Sequence, residues 1–215
     1  MNQTSFVKKA YFWANILGRL PGVLAIFLSG SVAQDKATEK SDLDFFVVTR
    51  FGQIWTARFF VFSVLKIFGQ MRTDKCHAGK ICPNHFITHK SLEIQEKDAY
   101  SANLFSHTKP LYDPYSLHPK FMRINKSWME QFGEANPGSK FPRARVQLFE
   151  HDKTLSTKKL YSISLFLEKW LRFFQIRKVK SNPEYNIPNA KIVLEDTELR
   201  FHPHPKNKQV KKFKR

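Results

Sequence analysis

Hydrophobic and polar positions divide the chain into two parts of different character. The stretch from about Ser5 to Arg19 has helical spacing and is stopped by Pro21-Gly22. Val23 to Leu28 is a continuous apolar run, the mark of a strand covered on both faces. Ser29-Gly30-Ser31 breaks it sharply, and a short helix or loop follows. Leu43 to Thr49 is a second strand. Beyond Gly52, Ile54 to Met71 reads as an apolar helix whose polar residues, Thr56, Arg58, Ser63, Lys66 and Gln70, fall within one narrow arc. Lys80 to Thr88 and Leu92 to Gln95 are expected to be a strand pair turning near His89-Lys90, with Pro83 marking an edge or a bulge. Asp98 is placed to cap a helix reaching about Ser106, and Leu111 to Pro114 closes the unit.

Further along, helices are expected near Lys120 to Phe132 and Lys158 to Val179, around a Gly-, Pro- and Arg-rich loop over Gly133 to Arg145. The pattern predicts an α/β unit over residues 1–114, a mixed β-sheet flanked by helices. A mostly helical, basic extension follows over 115–200, then a basic tail over 201–215 expected to be disordered. There is no internal repeat.

Two segments resemble targeting or membrane signals. Leu20 to Ala33 ends in small residues like a secretory cleavage region, but the strand-and-turn reading accounts for the same residues. Ile54 to Met71 carries Arg58 and Lys66 and is shorter than the ~20 apolar residues of a membrane span. A core helix is therefore expected rather than a membrane-surface one. Two cysteines, Cys76 and Cys82, make no disulfide framework and point to a reducing, cytoplasmic setting.

Charge adds a partner. With 36 Lys+Arg against 18 Asp+Glu the chain carries +18, a surface that attracts RNA or another polyanion. Arg172, Arg177, Lys178 and Lys180 on the last helix, and the basic run from Arg200 to Arg215, make the C-terminal half its expected footprint.

The chemistry lies in Phe27-Leu28-Ser29-Gly30-Ser31 and Ser41-Asp42-Leu43-Asp44-Phe45. At Gly30 the missing Cβ lets a phosphate approach the backbone. Ser31 offers a hydroxyl and an N–H at a helix start, suited to a phosphate oxygen. Asp42 and Asp44, two apart on a strand, project from one face while Leu43 and Phe45 point into the core. Paired carboxylates repel unless a cation lies between them, and hard oxygen donors suit Mg²⁺ bridging to phosphates. Asp-x-Asp alone is common; it gains specificity from the apolar strand, the Gly-Ser and the eleven-residue step from Ser31 to Asp42.

Together these residues resemble the nucleotidyltransferase superfamily, the DNA polymerase beta-like fold, in its MNT-like branch. Ala33, Ala37 and Ser41 stand where that branch has them. The resemblance implies a magnesium-dependent enzyme holding two ions and moving a nucleoside monophosphate from an NTP such as ATP to an acceptor hydroxyl. It implies that Gly30, Ser31 and Ser41 hold the nucleotide and that Asp42 and Asp44 hold the metal. The family often has glycine where this chain has Asp35. Its third carboxylate, on a later strand, activates the acceptor. Glu93, between Leu92 and Ile94, fits an apolar–acid–apolar strand; the longer strand nearby offers Asn84 instead. If Asn84 holds the place, the alternative is a catalytically degenerate module that binds RNA or another polyanion.

Cys76, His77, Cys82, His85 and His89 are zinc-type ligands, but their spacing matches no standard finger. His202-Pro203-His204-Pro205 is read as solvated tail, and no nucleophile elbow supports Ser-His-Asp chemistry.

Overall fold

Six strands form one mixed sheet in the order β4-β1-β2-β3-β6-β5. The computed structural model describes residues 2–73, 76–133, 158–182 and 191–202. In chain order the elements are α1 (Gln3–Leu17), β1 (Val23–Ser29), α2 (Gly30–Ala33), β2 (Leu43–Thr49), α3 (Ile54–Ile67), β3 (Ile81–Thr88), α4 (Ala99–Ser106), β4 (Lys109–Tyr112), α5 (Leu117–Glu130), α6 (Lys158–Lys180), β5 (Lys191–Leu194) and β6 (Glu198–His202). β2 and β3 run parallel, with α3 as the crossover; the other neighbours pair antiparallel.

The sheet is covered on both sides, which is why β1 and β2 read as unbroken apolar runs. Ile26 and Leu28 of β1 and Leu43, Phe45 and Val47 of β2 bury against α1 and α3. The alternate residues, Ala25, Phe27, Phe46 and Val48, bury against α4 and α5. Each helix follows from local signals. Asn2 caps α1, its side chain accepting from the Ser5 N–H at 2.9 Å, and Phe6, Ala10, Trp13, Ala14 and Leu17 form its buried stripe. Asp98 caps α4 as expected, accepting from the Ser101 N–H at 2.7 Å.

The polar arc of α3 faces α6. No side chain of its own caps the helix. Instead the buried Glu168 of α6 accepts from the N–H groups of Trp55 and Thr56 at 2.9 and 2.8 Å and from the Thr56 hydroxyl at 2.7 Å. A carboxylate there satisfies orphan donors and complements the helix dipole. Arg58 is covered by α6 and β6, donating to Gln175 and lying 4.2 and 4.6 Å from the rings of Phe62 and Phe201. Burial pushes its guanidinium down to about 10. No helix among the described residues is long and apolar enough to cross a membrane.

Leu92 to Gln95 is not a strand. Its alternation is real, with Leu92 and Ile94 buried and Glu93 and Gln95 exposed. Its backbone partner, however, is the buried side chain of Asn125 on α5, which accepts from the Ile94 N–H and donates to the Leu92 carbonyl, both at 2.9 Å. The expected helical extension over 115–200 contains α5 and α6 and also the β5–β6 hairpin, which joins the sheet through β3. Arg200, expected in the basic run, lies in β6, nearly buried and ion-paired with Glu96 and Glu198. The tail over 203–215 and most of the Gly133 to Arg145 loop lie outside the described residues.

Candidate functional site

The site forms where β1 ends and β2 begins. Antiparallel pairing sets Ser29 opposite Asp44, and the chain turns into α2 at Gly30. Gly30 has φ +71°, and a Cβ built there would land on the Asp44 carboxylate. The glycine is thus required by handedness and by the acid across the strand pair. The spacer is fastened at Ser41, whose hydroxyl accepts from the Thr38 N–H at 2.9 Å and from the Ser31 hydroxyl at 3.2 Å. Ser31 and Ser41 are therefore linked across the loop. Asp35 sits at φ +58°, a left-handed conformation that explains why glycine suits this position. Its carboxylate is held by Gln3 at 2.9 Å and by the nearly buried Lys109 at 2.8 Å.

Asp42 and Asp44 come together as expected. With Cys82 they present ligand atoms all within 4.8 Å of one another, and among the described residues no other such group occurs. Burial, then the nearby Asp44, push the Cys82 thiol up to about 12. The two carboxylates are hard oxygen donors suited to a hard cation.

Arg72 and Asn84 already touch the acids. Arg72, from the segment after α3, lies 3.1 Å from Asp42 through Nε, and its Nη1 is 3.6 Å from the Cys82 sulfur. Backbone bonds Arg72 N–H to Ile81 O (2.9 Å) and Ile81 N–H to Gln70 O (2.8 Å) hold that segment against β3. No pattern in the sequence marked Arg72, because this pairing is a single bridge at Met71. Asn84, on β3 beside β2, donates its amide to Asp44 Oδ1 at 3.0 Å. The β2–β3 register slips between Asp44 and Phe46, the bulge that Pro83 foreshadowed, and this slip brings Asn84 to the carboxylate.

Glu93 is not brought to this site. It follows β3, is half-exposed, and pairs with Lys97 at 2.6 Å. The place beside Asp44 on the neighbouring strand belongs to Asn84. The Cys/His group does not gather either. Cys76 is exposed, His85 is buried against Glu198 at 3.0 Å, and His89 accepts from the Phe51 N–H at 3.2 Å.

The model of the nucleotidyltransferase domain family matches residues 13–74. No curated protein matches the chain. A crystal structure described as a toxin–antitoxin with AMP-PNP is similar at 14% identity, covering 56% of this chain and 87% of that one, with a TM-score of 0.37. Over residues 13–74, which hold Gly30, Ser31, Asp42 and Asp44 in the geometry above, the chain is similar to the nucleotidyltransferase domain family.

Proposed function

We propose that the domain binds an NTP with Mg²⁺ on Asp42 and Asp44 and transfers its nucleoside monophosphate, slowly, to an acceptor hydroxyl. One observation carries this reading: the Asp44 carboxylate stands against the bare Cα of Gly30, so a phosphate admitted by the loop lies beside the acids. A cation there would offset phosphate charge and polarise the α-phosphorus. The acceptor oxygen would bond to that phosphorus as the bond to the bridging oxygen breaks, and pyrophosphate would leave with the electron pair. Arg72 holds Asp42 in place. A second ion, implied by the family resemblance, would find no third carboxylate gathered with the pair among the described residues.

Asn84 favours a second reading. A neutral amide cannot take the acceptor's proton, which then passes to water without a positioned base. On that reading the domain binds nucleotide and a polyanion without useful turnover. Incubation with each labelled NTP, Mg²⁺ and cellular RNA and protein tests the two. Labelled product that disappears in Asp42→Asn and Asp44→Asn supports transfer. Mg²⁺-dependent nucleotide binding without product supports the binding module, and the absence of both sinks each reading.

A further inference from the structure

Helix α6 packs with its polar side inward. Glu168 and Gln175 are nearly buried, with Leu171 between them. Glu168 caps α3, and Gln175 donates to the Trp55 carbonyl at 2.8 Å and accepts from Arg58. The outward side carries Phe166, Leu167, Trp170, Phe173 and Phe174; Phe166 is 73% exposed, Phe173 60% and Trp170 53%. The rings join into one surface, with Phe174 lying 4.3 Å from Trp170 and 5.5 Å from Phe173 between centroids. At 100° per residue the five side chains fall within an arc of about 120°. A helix on a soluble surface normally has the reverse order, and a contiguous exposed apolar patch marks an interaction surface.

Charge defines what the patch meets. On the same angular count Lys169 and Lys180 border one edge of the arc, Lys178 borders the other, and Arg177 falls inside it near the C-terminal end. All four are exposed. Glu168, the one acid in the α6 sequence, is turned inward onto α3. Past β6 the sequence adds Lys206, Lys208, Lys211, Lys212, Lys214 and Arg215 and no acid. Rings flanked by cations, on a chain of net charge +18, match an anionic bilayer: the rings enter the acyl boundary while the long basic side chains reach the headgroups. Nucleic acid would stack single bases on single rings and gain little from Leu167, whereas a continuous apolar phase covers the whole arc. No helix among the described residues is long and apolar enough to cross a membrane, so the contact is one of lying on the surface.

We propose that the outward face of α6 docks this protein on an anionic lipid bilayer, with the helix lying in the headgroup plane; the proposal does not rest on the transfer reading above. The test uses the full chain with vesicles of equal parts phosphatidylcholine and phosphatidylglycerol. Binding is read by flotation and by quenching of tryptophan fluorescence with brominated acyl chains. Wild type should float with these vesicles and not with phosphatidylcholine alone. Quenching should fall on Trp170, since Trp13, Trp55 and Trp128 are buried. Trp170→Phe should therefore float as before and lose the quenching. Phe173→Ala should weaken binding roughly tenfold. Lys180→Ala should weaken it roughly fivefold, a loss that shrinks at high salt. Both variants should melt with wild type, because the two side chains are exposed. Failure of wild type to float overturns the proposal. So does wild-type flotation of Phe173→Ala, which would put the lipid contact elsewhere on the chain. A solution dimer that Phe173→Ala splits, or oligoadenylate binding that it weakens, with no flotation of wild type, gives the face to a second copy or to RNA and overturns it as well.

Discussion

The side-chain amide of Asn84 donates to Asp44 Oδ1 at 3.0 Å, from the strand that neighbours β2. An acid at this point would share the Asp44 environment and serve as a base toward the acceptor. Asn84→Asp is therefore expected to raise nucleotidyl transfer at least tenfold, since a positioned base contributes ~10²–10⁴ in rate. It should also tighten Mg²⁺, read as a larger thermal shift. Initial rates with labelled NTP decide the point; equal rates in the two proteins would remove Asn84 from any catalytic position.

Gly30→Ala is expected to destabilise the domain by more than ~1 kcal/mol, the low end for a side chain forced to left-handed φ, because its Cβ also meets the Asp44 carboxylate. Nucleotide binding should fall with it. Urea midpoints and Mg·ATP thermal shift measure the two effects, and a variant as stable as wild type would show that the loop relaxes freely.

Glu168→Gln should cost about 1–3 kcal/mol, because the charged acceptor at the start of α3 becomes neutral and one of its oxygens becomes a donor. Salt should not rescue it, as the contact is buried. Urea denaturation at low and high ionic strength checks both statements.

Acid should weaken the fold through histidines held neutral. Burial lowers His118 from 6.5 to about 4 and lowers His85 as well. The unfolded chain takes up protons first, so stability is full above the unfolded value and is lost as pH falls from about 6.5 toward 4. For His118 alone the loss should reach about 2 kcal/mol near pH 5. A Tm series from pH 7.5 to about pH 5 should be steeper for wild type than for His118→Gln; parallel curves would refute the assignment.

Local signals were legible in the sequence. The apolar run of β1, the Gly30-Ser31 break, the alternation that sends Asp44 one way and Leu43 the other, and the Asp98 cap each depend on residues close in the chain. What was not legible depends on distant partners. Glu93 had the alternation of a strand residue, but Asn125 supplied the backbone bonds and a helix replaced the sheet. β6 fell within the extension expected to be mostly helical; its charged Glu198 and Arg200 bury by pairing with His85 and Glu96 while Leu199 enters the opposite core. The polar arc of α3 was visible; its partner Glu168, 112 residues beyond Thr56, was not.

The contact between Gly30 and Asp44 ties a turn and a carboxylate to a single volume. A change at position 30 bears on the acid as well. Any side chain at position 30 displaces the acid, and the acid closes the space into which the loop could otherwise grow. A lineage that gave up Asp44 would regain room at position 30 but would still face the left-handed backbone at φ +71°. The two positions form an epistatic pair: in a deep mutational library a side chain at position 30 should be less damaging where position 44 is small, and never neutral.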